Sequence, residues 1–136
     1  MPLSINLNNV DSAGLLPLPG IGPVFAGRIV RYRELLGGYH GSHQLSEVYG
    51  MKAETVELIS PFLIIDTSRI RKLPLNTSSF RELLRHPYLE YDDVKALVNY
   101  RDVMGKITSL QEIMEHMLVP DSVLEKAGCY FDLSLE

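Results

Sequence analysis

The sequence predicts an all-α protein built from two tandem copies of one small helical unit. Three observations carry that prediction. Apolar residues recur at helical spacing along most of the chain, and no segment alternates convincingly as a strand. Turns marked by glycine and proline separate the periodic runs; the strongest is Leu18-Pro19-Gly20-Ile21-Gly22-Pro23-Val24-Phe25-Ala26. Displaced by 68 residues, the sequence matches itself without a gap.

The duplication sets the domain plan. Leu7-Asn8 falls on Leu75-Asn76, Leu15-Leu16 on Leu83-Leu84 and Pro19 on Pro87. Val30-x-Tyr32-Arg33 falls on Val98-x-Tyr100-Arg101, and Gly37 on Gly105. The repeats run from about Ser4 to Phe62 and from about Leu73 to Phe131, so the expected domains are 1–63 and 73–136, joined by a linker over 64–72.

Within the first repeat a short helix follows Asn8, over about Ser12 to Leu16. A longer helix covers about Val24 to Leu36 and ends at Gly37, as helices often do at a glycine. A third helix lies near Leu45 to Tyr49. A second, poorer hairpin at Gly50-Met51-Lys52 leads into a fourth over Glu54 to Ile59. The second repeat has the same layout, with helices near Tyr91 to Met104 and Asp121 to Ala127.

The first hairpin carries chemistry. Its glycines reach backbone angles that residues with a Cβ reach only at a cost, and Pro23 suits a first helical position. The N–H groups of Gly22, Val24 and Phe25 then point out of a helix start, where partial positive charge favours phosphate. The string Leu-Pro-Gly-Ile-Gly-Pro-x-x-Ala resembles the hairpin of the helix-hairpin-helix family. With Ile5-Asn6-Leu7-Asn8 before it, and Tyr32-Arg33 and Gly37-Gly38-Tyr39 after it, the chain is similar to the ComEA-type branch, the competence DNA receptors and their relatives. The resemblance implies tandem helix-hairpin-helix units, two in each repeat. It also implies non-sequence-specific binding of the double-stranded DNA phosphate backbone, with Gly20, Ile21, Gly22, Pro23 and Val24 at the contact. In relatives with this hairpin a monovalent cation bridges loop carbonyls and phosphate, so K⁺ or Na⁺ at the first hairpin is implied and no other cofactor.

Comparing the copies separates scaffold from function. Residues that recur, such as Arg33 with Arg101 and Asn8 with Asn76, read as scaffold: the arginines bonding carbonyls or a carboxylate at a helix end, the asparagines capping helix N–H groups. At the hairpin, Gly20 and Gly22 become Tyr88 and Glu90, while Arg28 and Arg31 become Ala96 and Asn99. Arg28 and Arg31 share one helix face and are the expected auxiliary phosphate contacts. The second repeat opens its helix with Glu90-Tyr91-Asp92-Asp93, which repels phosphate, and is the expected surface for any protein partner. A second basic set, Arg69, Arg71, Lys72, Arg81 and Arg85 with only Glu82 between, reads equally well as an extension of the hairpin's electrostatic footprint and as a solvated linker and helix face.

Bulk composition bounds the function. At a formal charge of −4, the chain is no basic nucleic-acid coat, so DNA binding must come from a local patch. One cysteine excludes an internal disulfide. No apolar run reaches membrane-span length, so no membrane contact by this segment is expected. The start Met-Pro-Leu-Ser enters a motif almost at once, as a piece of a longer protein would. A bacterial, extracytoplasmic or membrane-tethered setting follows from the competence resemblance; work in DNA repair inside the cell is the alternative.

Other residues point to no chemistry. His40-x-x-His43 lacks further ligands, so no metal site is expected. Cys129, beside Tyr130 and Phe131, reads as a packed thiol. Tyr39, Tyr49, Tyr88, Tyr91 and Tyr130 read as core or interface residues. DNA glycosylases with such a hairpin follow it with a catalytic Lys and Asp; here Val24 follows Gly22-Pro23 and no such pair appears. No enzyme is expected. The rival to DNA binding is a protein–protein adaptor, which needs the turn at Gly20 and Gly22 but not their exposed N–H groups.

Overall fold

The computed structural model describes residues 4–134 and is all-α apart from two minimal strand pairs. The chain divides into two compact units, Met1–Ile70 and Arg71–Glu136. The first contains β1 (Ile5–Asn6), α1 (Ser12–Leu15), α2 (Pro23–Leu36), a 3₁₀ segment over Ser42–Glu47, α3 (Ala53–Ile59) and β2 (Leu63–Ile64). The second contains β3 (Leu73–Pro74), α4 (Phe80–Leu84), α5 (Tyr91–Met104), α6 (Leu110–Glu115), α7 (Asp121–Ala127) and β4 (Phe131–Asp132).

Sequence punctuation explains the long helices. Pro23 stands in the first turn of α2, and Gly37 ends it in the left-handed region at φ 96°. Where a helix near Leu45 to Tyr49 is expected, the chain forms the earlier 3₁₀ segment Ser42–Glu47. The side chain of buried Gln44 accepts from the N–H groups of His40 (2.6 Å) and Gly41 (3.2 Å) there, which holds the backbone in its tighter turn.

The strands are a feature the sequence did not suggest. β1 pairs in parallel with β2, Ile5 opposite Leu63, and β3 with β4, Leu73 opposite Phe131. Each pair is two residues long, too short for alternation to register. Each ties the entry of its unit to its exit. The expected linker is itself structured: Ile64 ends β2, and Thr67–Arg69 form one 3₁₀ turn. Asp66 opens that turn by accepting from the N–H (3.0 Å) and hydroxyl (2.6 Å) of Ser68, bonds that hold its carboxyl below the usual range.

The duplication is written into the hydrogen bonds. Arg33 Nη1 donates to the carbonyls of Leu7 (3.2 Å) and Val10 (2.5 Å); Arg101 Nη1 donates to those of Leu75 and Ser78, both at 2.7 Å. The arginines therefore bond backbone carbonyls, as their recurrence suggests. The asparagines do not cap helices. Asn8 accepts from the N–H of Tyr39 (2.7 Å) and donates to the carbonyls of Tyr39 (2.8 Å) and Asp66 (3.0 Å). Asn76 makes the equivalent pair with Ile107, at 2.8 Å each way. These amides clip distant loops together. Capping falls instead to Asp11, which accepts from Gly14 N–H (2.8 Å), and to its counterpart Ser79, which accepts from Glu82 N–H (3.1 Å).

The cores correspond as well. Leu7, Leu15, Ile29 and Leu45 are buried in the first unit, and Leu75, Leu83, Leu97 and Ile113 in the second. Tyr39 and Tyr130 are fully buried core residues. Tyr49 and Tyr91, by contrast, are 80% and 58% exposed. Cys129 is exposed rather than packed, its Sγ turned toward the carbonyl of Lys126 (3.5 Å), and partial desolvation raises its pKa above the usual thiol value.

Candidate nucleic-acid interface

The first hairpin hangs from two buried residues, Leu18 and Ile21, and Ile21 N–H donates to Leu18 carbonyl at 3.2 Å to close the turn. Gly20 sits at its apex with φ +81°, the left-handed region that disfavours residues with a Cβ. Ile21 thus spends its N–H and side chain on the turn, and is its anchor rather than a donor to a ligand.

Gly22 is the N-cap of α2 with φ −95°, ordinary extended backbone. Its value is the space it leaves: a Cβ there would meet nothing within 4 Å. No side chain caps this helix start, and its first turn contains no acid. Gly22, Pro23 and Val24 are all exposed, Val24 to 64%. The N–H groups of Gly22, Val24 and Phe25 are those a first turn leaves without an intrahelical acceptor. An anion arriving here meets donors, the positive end of a helix dipole and open space at Gly22.

The second unit closes the same position. Glu90 replaces Gly22 as N-cap, and its N–H donates to Asp93 Oδ2 at 2.9 Å. A carboxylate of the chain itself occupies the role that an external anion would take. Tyr88, at the place of Gly20, packs into an aromatic group with buried His86 (ring centroids 5.4 Å) and Tyr130 (5.9 Å).

The two arginines expected beside the hairpin behave differently. Arg31 is exposed. Arg28 is half-buried and committed to the second hairpin: its Nη1 donates to Tyr49 carbonyl at 3.1 Å, and its guanidinium lies over the rings of Tyr49 (4.9 Å) and Phe25 (5.6 Å). Arg28 therefore joins the two hairpins of the unit, and only part of its donor set faces outward.

Those hairpins are related by a local pseudo-symmetry. Gly50 repeats the φ of +81° found at Gly20, and Met51 N–H closes its turn on Val48 carbonyl at 3.0 Å. Contacts are reciprocal: a Cβ on Gly20 would stand 3.5 Å from Thr55 of α3, and one on Gly50 would stand 3.3 Å from Phe25 of α2. Each turn packs against the third residue of the helix that the other begins. Lys52, at the position of Gly22, is exposed and places a cation at the second turn.

Of the other basic residues, Arg69 lies in the first unit, 3.8 Å from Asp66. Arg71, Lys72, Arg81 and Arg85 are exposed in the second. Among the described residues no group of three or more His, Cys, Asp or Glu side chains is placed to hold a metal, and no helix is long and apolar enough to cross a membrane.

Residues 3–64 match the family described as helix-hairpin-helix motif. The chain is 26% identical over 143 residues to the endonuclease/exonuclease/phosphatase family domain-containing protein 1 of Xenopus laevis, and 25% identical over 140 residues to the protein of that name in Danio rerio. Each alignment covers 90% of this chain, which spans only about a quarter (26%) of each relative. No solved structure matches. The first unit of this chain carries a helix-hairpin-helix motif, a motif that points to nucleic-acid binding.

Proposed function

We propose that the protein binds double-stranded DNA without sequence preference, through phosphate held at the start of α2. The uncapped, exposed helix start at Gly22 carries this reading, sharpened by contrast with α5, where Asp93 fills the equivalent place. Backbone N–H groups of Gly22 and Val24 and the side chain of Arg31 face the phosphate, with Gly20 and Pro23 shaping the turn. Backbone donors carry no base information, so affinity should be nearly independent of sequence. With few cations and a net charge of −4 it should be weak, on the order of 10⁻⁴–10⁻⁶ M at physiological salt, and should fall steeply with added salt. The names of the frog and fish relatives, which record an endonuclease/exonuclease/phosphatase family domain, support a role as a DNA-holding module of a larger protein. DNA uptake and repair both fit such a module, and no catalysis by this segment is proposed.

The test is fluorescence anisotropy with a labelled duplex of about 20 bp. Gly22→Glu is the informative variant, because φ −95° accepts any residue and open space surrounds the site. It introduces charge without strain. Binding by the wild type that fades with salt and is lost in Gly22→Glu supports the reading; a duplex affinity unchanged in the variant overturns it.

A second reading, a protein–protein adaptor, is favoured by exposed apolar residues of the second unit: Val103 (80%), Met104 (66%), Met114 (51%) and Met117 (83%). It predicts no duplex binding even at low salt.

A further inference from the structure

We infer that Tyr49 is a stacking residue for an unpaired base, so that the first unit prefers DNA with a strand interruption over intact duplex. The inference rests on the reading that the neighbouring hairpin holds phosphate.

Tyr49 is 80% exposed, yet the backbone that carries it is fixed. Val48 before it is buried, Met51 N–H closes the turn behind it, and Arg28 holds its carbonyl at 3.1 Å. The Arg28 guanidinium lies over both rings, 5.6 Å from the Phe25 centroid and 4.9 Å from that of Tyr49. Arg28 covers one face of the Tyr49 ring, and the 80% exposure of the residue leaves most of the remainder to solvent. A rigid, exposed aromatic ring backed by a cation is the arrangement on which a base stacks whatever its identity. Within a closed duplex every base face is already taken, so such a ring finds a partner only where a base is unpaired or a step is opened.

The internal duplication supports a role outside the scaffold. At the positions of Phe25, Arg28 and Tyr49 the second repeat has Asp93, Ala96 and Met117. All three members are replaced together, in the copy whose hairpin has also lost Gly20 and Gly22. The recurring residues Asn8, Arg33 and Leu15, by contrast, keep their places and bonds. The reciprocal packing of the hairpins places Tyr49 beside the helix whose start receives phosphate. Exposed Lys52 and Arg31 add positive charge there, against the single acid Glu54 in the first turn of α3.

The experiment compares a 20-bp duplex with the same duplex lacking one nucleotide, the base opposite the gap being 2-aminopurine. Wild type, Tyr49→Phe and Tyr49→Ala are titrated by anisotropy and by 2-aminopurine emission. Wild type and Tyr49→Phe should bind the gapped duplex on the order of tenfold more tightly than the intact one and quench the probe. Tyr49→Ala, a surface substitution that leaves the core intact, should lose both effects while keeping its affinity for intact duplex. Equal affinity of the wild type for the two ligands, or a gap preference that survives in Tyr49→Ala, overturns the inference and leaves the phosphate site standing. A gap preference that Tyr49→Ala abolishes and Gly22→Glu leaves untouched supports stacking and overturns the phosphate site instead. Absence of binding to either DNA overturns both.

Discussion

Asp93 accepts the N–H of Glu90 at 2.9 Å, so α5 is capped by its own first turn, while α2, its copy, starts bare. Asp93 also lies at the positive end of the helix and is largely buried, so its loss removes a cap and a favourable charge–dipole contact together. Asp93→Ala is expected to destabilise the protein by about 1 kcal/mol in urea denaturation. DNA binding at α2 should not change, which separates the structural helix start from the functional one.

Asn8 is the larger structural commitment. One amide holds three backbone groups, two of them on Tyr39 and one on Asp66. Asn8→Ala would remove all three of these hydrogen bonds from a half-buried position, at a cost of about 2–3 kcal/mol. Asn76→Ala should cost less, because its third arm reaches the carbonyls of Leu133 and Ser134 only at 3.5 Å and 3.4 Å. Amide exchange supplies the local check: protection should fall first at Tyr39 in one variant and at Ile107 in the other.

What the sequence could and could not convey follows from how local each feature is. The extents of α2 and α5 are legible because Pro23, Gly37 and Gly105 stand at or beside their ends. The turn at Gly20 is legible for the same reason. Asn8 looks like a cap because caps are local; its real partners are 31 and 58 residues away. Arg28 looks like a phosphate contact because it shares a helix face with Arg31 beside the hairpin, and only the fold brings Tyr49 carbonyl to it. The strand pairs are invisible in sequence, since two residues set no period. The capping role of Asp93 had a signal, an acid three residues after the N-cap, that reads as mere charge until the bond is seen.

Met117 offers a stabilising substitution. It occupies the left-handed region at φ 48° just after α6, with Met117 N–H bonded to Met114 carbonyl and Leu118 N–H to Ile113 carbonyl, both at 3.1 Å. This is the Schellman geometry that glycine usually supplies, and the side chain here is 83% exposed and buries little. Met117→Gly should raise stability by up to about 1 kcal/mol, read as a higher melting temperature. A decrease would mean that the Met117 side chain contributes packing its exposure does not reveal.

The pair Tyr100 and Glu112 gives the second unit a pH dependence with opposite signs at the two ends of the scale. The N–H of Thr108, at 2.9 Å, does most to hold the Glu112 carboxyl below its ordinary 4.5, helped by the hydroxyl of Tyr100. That same hydrogen bond to Glu112 raises Tyr100 above its ordinary 10.0. The folded state therefore binds the Glu112 proton less readily than the unfolded chain, and its contribution is present above pH 4.5 and lost as pH falls through the lowered value. Tyr100 keeps its proton longer when folded, so its contribution is present below pH 10.0 and lost as pH rises through the raised value. Glu112→Gln removes both the titrating carboxyl and the acceptor that raises Tyr100. Urea midpoints should depend less on pH in the variant than in the wild type, below pH 4.5 and again above pH 10.0. Parallel profiles in the two proteins would show that other groups set the pH response of this unit.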